Sequence, residues 1–133
     1  MEDCIFCKIA NNDIACHKIF ENESFLAFLD NRPFVEGHTL IIPKEHYRWV
    51  YDVPNFDKMW DFTHKVTNLI KETLNPDYIT YLTMGNEVPH AHIHLIPRCF
   101  GDKLTGIFSE EYRMSPSVDD FNLTVSKIKK NDQ

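Results

Sequence analysis

His90-Ala91-His92-Ile93-His94-Leu95-Ile96 sets three histidines in alternation with apolar residues and ends against Pro97. A period of two is that of a strand, not of a helix. Drawn as a strand, the stretch puts His90, His92 and His94 on one face and Ala91, Ile93 and Leu95 on the other. Same-face side chains then stand roughly 6–7 Å apart, at ~3.3 Å rise per residue. That is about the span of a phosphate group, or of a metal ion with its neighbours. Three imidazoles in a row make a poor core surface, so this face is expected to be a site. Two chemistries fit it. Neutral imidazole is a common metal ligand, and it is also a nucleophile toward phosphorus.

Around this stretch the chain alternates strand-like and helix-like patterns. Lys18–Glu21 and Phe25–Leu29 read as two strands about an Asn22-Glu23-Ser24 turn. Thr39–Ile42 and the β-branched, aromatic run Tyr78–Met84 read as two more, which with the histidine strand makes five. From Asn55 to Leu74, Phe56, Met59, Trp60, Thr63, Val66, Leu69, Ile70 and Leu74 recur at three- and four-residue steps, the mark of an amphipathic helix. A short helix from about Cys4 to Asn11 is expected, with Asp3 as its cap. Val118, Phe121, Val125 and Ile128 are spaced for a last short helix, with Asp119 and Asp120 at its N-terminus. Gly101 and Gly106 mark loops, and the final residues are expected to fray. The strand pairs look hairpin-connected, which favours an α+β fold with an antiparallel five-stranded sheet over a parallel α/β one.

Composition narrows the function. The 133 residues suit one domain, with a core over about 3–100 and a polar C-terminal tail and helix over about 101–133. A net charge of −6 argues against a nucleic-acid groove. No run approaches ~18 apolar residues, so no membrane span is expected. Met1-Glu2-Asp3-Cys4 lacks a basic and then apolar signal region, so the expected location is cytoplasmic. Without such a signal, the four cysteines are read as thiols rather than a disulfide framework. Cys16 and Cys99 have no evident partner, whereas Cys4-x-x-Cys7 has a metal or redox spacing.

The site can be built from these pieces. His92, flanked on both sides, is the natural attacker at phosphorus. One of its ring nitrogens must offer a lone pair, so the other must be held as a donor, for instance by a backbone carbonyl. His94 is placed to donate to a phosphate oxygen and offset charge in the transition state. A structural zinc needs four ligands. Cys4 and Cys7 supply two, and His46 and His90 would complete a closed set while leaving His92 and His94 for chemistry. His17 and His64 are the alternatives.

The His-φ-His-φ-His-φ-φ pattern of residues 90–96 resembles the motif of the histidine triad (HIT) family. Cys4-Ile5-Phe6-Cys7-Lys8-Ile9, Phe25-Leu26-Ala27-Phe28-Leu29-Asp30 and Gly37-His38-Thr39-Leu40-Ile41-Ile42-Pro43-Lys44-Glu45-His46 are similar to its other blocks, in family order. The resemblance implies a nucleotide hydrolase or transferase that acts at an α-phosphate through a nucleotidyl-histidine, with His92 as nucleophile. His94 and His38 would help hold the phosphates, and Asp30 would accept hydrogen bonds from ribose. Ile5, Phe6, Ile9 and Leu29 would form an apolar slot for the base. Where many members carry a Gly-Gln-Ser/Thr stretch, this chain has Met84-Gly85-Asn86-Glu87-Val88-Pro89, and Asn86 offers the remaining side-chain amide. The family fold is an antiparallel sheet with helices, usually a homodimer with sheets joined across the interface. Members with the N-terminal Cys-x-x-Cys bind zinc through it and two histidines.

The expected function is therefore hydrolysis of purine nucleoside phosphoramidates or dinucleoside polyphosphates, with structural zinc and a homodimer. Two rivals stand beside it. One is a purine-nucleotide-binding regulatory protein with negligible turnover. The other is a hydrolase whose triad ligates a catalytic metal.

Overall fold

The computed structural model describes residues 3–104 and 110–130. Gly106 and the last three residues lie outside them. Among the described residues five strands form one antiparallel sheet: β1 (Lys18–Glu21), β2 (Phe25–Leu29), β3 (Thr39–Pro43), β4 (Tyr78–Leu82) and β5 (Ile93–Arg98), in the order β1-β2-β3-β5-β4. Among the described residues three α-helices accompany it: α1 (Ile5–Ala10), α2 (Phe56–Leu74) and α3 (Val118–Lys129). No helix of the described residues is long and apolar enough to cross a membrane. The α+β reading with a five-stranded antiparallel sheet holds.

β2 and β3 are buried along their whole length, because the sheet is covered on both faces. Strand alternation sends Phe25, Ala27 and Leu29 into one core, with Ile41, Ile93 and Leu95 beside them. α2 seals that face with Met59, Phe62, Val66 and Ile70, and α3 adds Phe121 and Ile128. The intervening residues Leu26, Phe28, Leu40 and Ile42 face the other way, against Phe6 and Ile9 of α1. α2 stops where Asn75 turns into the left-handed region at φ 54°, one residue before Pro76.

Some boundaries differ from the sequence reading. The N-cap of α1 is Cys4, not Asp3, since the Cys4 Sγ accepts from the Cys7 N–H at 3.4 Å. β4 ends at Leu82, two residues before Met84. β5 begins at Ile93, not at His90: the Ala91 N–H bonds the Tyr47 carbonyl at 2.6 Å and the His90 N–H bonds Val88. The chain has peeled off β3 there, although the alternation persists, with Ala91 in the α2-side core and His90 on the far side beside Cys4. In α3, Val118 is exposed and Thr124 takes the buried place between Phe121 and Ile128.

Candidate functional site

Peeling the chain off the ladder at His90 separates the three histidines. His90 turns to the N-terminus, where its Nδ1 lies 3.3 Å from Cys4 Sγ and 3.5 Å from Cys7 Sγ. His46, just past the end of β3, brings its own Nδ1 within 3.3 Å of Cys7 Sγ. These four donor atoms all lie within 4.8 Å of one another. A tetrahedral ion with Zn–S ≈ 2.3 Å and Zn–N ≈ 2.0–2.1 Å would space sulfur and nitrogen about 3.6 Å apart, so the donors are already near the required spread. His90 Nε2 donates to the Pro43 carbonyl at 2.9 Å, which leaves Nδ1 with its lone pair toward the thiols. Burial first, then the neighbouring Cys4, pushes the Cys7 thiol up to about 11. A cation at the centre would reverse that. His17 and His64 do not join: His17 stacks on Phe121 at 4.7 Å, and His64 is exposed on α2.

His92 and His94 line a cavity of about 320 Å³ with Ile5, Phe6, Asp30 and Asn86. Their tautomers are set by the backbone. A backbone N–H can only donate, so the Phe34 N–H at 3.1 Å makes His38 Nδ1 an acceptor. The His38 proton therefore sits on Nε2, which donates to His94 Nδ1 at 2.9 Å. His94 in turn carries its proton on Nε2. At His92 the order is reversed: Nδ1 lies 2.7 Å from the His90 carbonyl oxygen, which can only accept, so Nδ1–H donates and Nε2 keeps the lone pair. No fully buried side-chain nitrogen or oxygen among the described residues lacks a partner, so the two remaining Nε2 atoms open on the cavity.

Burial holds these rings neutral. It pushes His38 down to about 3, aided by the Arg113 charge. It pushes His94 down to about 3 as well, aided by His38 and His92. It also lowers His92, against the opposing pull of the His90 carbonyl. At neutral pH the site therefore presents one lone pair, at His92, beside one N–H donor, at His94. Asp30, His38 and His94 also bring three donor atoms together. Yet the 2.9 Å His–His contact is a hydrogen bond that consumes the His94 Nδ1 lone pair, so these groups form a relay rather than a ligand set.

Not every expected residue reaches the cavity. Ile9 sits in the core with Leu26 and Phe28, because it lies one turn behind Phe6 on α1. Leu29 faces α2, since β2 alternation turns it away from the histidine side. His38 is fully buried behind His94 and acts only through it. Asp30 is in place: its Oδ1 accepts from the Arg32 N–H at 2.8 Å, and its Oδ2 lies 3.5 Å from His38 Nε2 and 3.4 Å from Arg113. Two cations were missed. Arg113 lines the cavity from the segment before α3. Arg48 donates to the Gly85 carbonyl at 2.7 Å, lies over the Trp49 ring at 3.7 Å, and its charge lowers His92. Gly85 has φ 68°, and a Cβ there would come within 2.9 Å of Trp49, so a side chain would displace this pair. Neither arginine stands in a motif; only the folded chain brings them to the site.

Comparison with known proteins bears on the whole arrangement. Residues 11–101, which carry the sheet, α2 and the histidines, match the model of the HIT domain. The chain belongs to the HIT domain family. An HIT-like protein of Methanocaldococcus jannaschii is 38% identical over 106 residues, 74% of this chain and 81% of that one. The adenosine 5'-monophosphoramidase of Schizosaccharomyces pombe is 34% identical over 118 residues, 85% of this chain and 87% of its own. Among solved structures, a zinc-bound histidine triad family protein from Mycobacterium smegmatis superposes with a TM-score of 0.80 at 31% identity, covering 98% of this chain and 96% of that one. The family match ends at residue 101, before the segment that carries Arg113.

Proposed function

We propose that this HIT protein is a nucleotide hydrolase acting at the α-phosphorus of purine nucleoside phosphoramidates or dinucleoside polyphosphates. The observation that carries the reading is the His92 ring: Nδ1–H is held by the His90 carbonyl at 2.7 Å and Nε2 is left toward the cavity. In the first step the Nε2 lone pair forms a bond to phosphorus and the bond to the leaving group breaks, an amine taking up a proton from solvent as it departs and a phosphate leaving as its anion. The positive charge that develops on His92 is stabilised through Nδ1–H by the carbonyl. His94 Nε2–H donates to a phosphate oxygen as the negative charge on it grows. Water then forms a P–O bond and loses a proton, the P–Nε2 bond breaks, and nucleoside monophosphate leaves. Ile5 and Phe6 would take the base, Asp30 the ribose hydroxyls, and Asn86 a phosphate oxygen. The S. pombe relative's name supports an adenosine phosphoramidate as substrate.

Cys4, Cys7, His46 and His90 would hold zinc, a reading supported by their spacing and by the zinc-bound neighbour. The ion would be structural, because four protein ligands leave no open position. A homodimer joined at the β4 edge is part of the same reading, supported by the exposed Tyr78, Tyr81 and Phe100 there.

Acid-quenched intact-mass spectrometry tests the reaction. Mixed with adenosine phosphoramidate or diadenosine polyphosphate, the wild type should gain an adenylyl mass and His92→Ala should not. If neither substrate gives adduct or product while AMP still raises the melting temperature, the hydrolase gives way to the regulatory binding protein.

A further inference from the structure

Just before α3, Glu110 and Arg113 line the cavity, and Arg113 and Met114 grip one loop. Arg113 donates from one terminal nitrogen to the Arg32 carbonyl at 2.6 Å, and the Met114 N–H donates to the Pro33 carbonyl at 2.7 Å. The guanidinium carbon stands 4.4 Å over the Phe34 ring, and Glu110 pairs with Nε at 2.8 Å. Three successive residues, Arg32, Pro33 and Phe34, are thus held from one side. On the other side Phe34 stacks on the His38 ring at 5.5 Å and donates its N–H to His38 Nδ1.

That N–H is the origin of the relay. If it moved away, His38 could carry its proton on Nδ1 and accept at Nε2. His94 would then donate to it from Nδ1 and turn an Nε2 lone pair toward the cavity. The His94 donor facing the phosphate would become an acceptor facing anionic oxygen. A loop that slips by a hydrogen-bond length removes the donor at Nδ1; the two neutral tautomers of imidazole are close in energy, so His38 then divides between them, with Asp30 Oδ2 at 3.5 Å the remaining pull on Nε2–H.

We propose that Arg113 is a positioning residue: by clamping residues 32–34 against His38 it fixes the His38–His94 relay with an N–H directed at the substrate phosphate. The catalytic consequence rests on the hydrolase reading; the tautomer assignment does not. A lysine would keep the charge but lose the planar fork and the stacking face, so the clamp should require arginine.

Ring-nitrogen NMR of histidine tests this in wild type, Arg113→Ala, Arg113→Lys and Met114→Pro. The last removes the second strap bond without deleting the guanidinium. Wild type should show His38 and His94 each protonated at Nε2. All three variants should show averaged Nδ1 and Nε2 shifts at both rings, while His92 stays protonated at Nδ1. Hydrolysis should fall about tenfold in kcat, with a smaller change in KM. Ring spectra that match wild type in the alanine and proline variants would overturn the proposal, even if both melt earlier, since a merely structural strap predicts that result. Shifted tautomers with unchanged kcat would also overturn it. A wild type that shows the expected tautomers, loses them in the variants and yet turns over nothing would remove the hydrolase and leave the clamp.

Discussion

Asp30 is surrounded by donors. Arg32 N–H, His38 Nε2 and Arg113 all face its two oxygens, and the residue is 6% exposed. A carboxylate has about four lone-pair sites, so ribose hydroxyls can still find acceptors there. An amide cannot fill the same place. Asp30→Asn would turn an NH₂ toward either the Arg32 N–H or the Arg113 guanidinium, and donor would meet donor. The expected result is a KM for adenosine substrates raised about tenfold, the effect of roughly 1.4 kcal/mol, with kcat changing less. Steady-state kinetics on ribose and 2'-deoxyribose substrates checks the assignment. The variant should lose its penalty in part on the deoxy substrate; an equal loss on both would take Asp30 off the ribose.

At the scale of elements, α1 is the dependent piece. Six residues are too few for a helix to stand alone in water. It is held by Phe6 and Ile9 in the core, and by Cys4, whose Sγ both caps the helix and faces His90. The Phe6 ring packs edge-on against His92 at 5.2 Å, so whatever loosens α1 opens the cavity wall. Stripping zinc from loaded protein with a strong chelator should therefore lower Tm by about 10 °C, because a structural site contributes several kcal/mol. Activity should fade with the loss of structure rather than at once; an instant loss at unchanged Tm would point to metal in the reaction. α2 is different in kind. Phe62, packed between Phe20 at 5.5 Å and Phe25 at 5.6 Å, is 2% exposed. Phe62→Ala should cost about 3–5 kcal/mol in denaturant unfolding, with or without metal. These contrasts match what could be read from the sequence. Strong periodicity located α2, turn signals and β-branched or aromatic runs located the other strands, and ligand counting chose the Cys–His set that the fold brings together. The start of β5 was misplaced because alternation reports which face a side chain takes, not whether the backbone is still on the ladder. Asp3 reads as the cap because a carboxylate can accept the first-turn N–H groups, but the helix begins one residue later, at Ile5, and the cap falls to Cys4. Arg113 was invisible, since its role exists only where a distant segment meets the loop after β2.

For the molecule as a whole, the two faces of the sheet divide the work. Helices α2 and α3 bury one face for stability, while the other buries imidazoles that must stay neutral, and that choice ties stability to pH. His38 and His94 are held at about 3, against an ordinary 6.5. Below pH 6.5 the unfolded chain takes up protons that the folded relay refuses, so the unfolded state binds more protons and stability rises with pH. The contribution is intact above about 6.5 and is lost as pH falls toward 3. At its steepest, each ring accounts for about 1.4 kcal/mol per pH unit. The paired carboxylates of Glu21 and Asp102, lowered by Lys44 and Arg98, act in the same direction but from below their ordinary range near 4. Between pH 6.5 and 5 the histidines should therefore dominate. Urea midpoints measured across that window should fall in the wild type and fall less steeply in His38→Asn, whose side chain cannot take up the proton in either state. Equal slopes in the two proteins would take His38 out of the acid sensitivity.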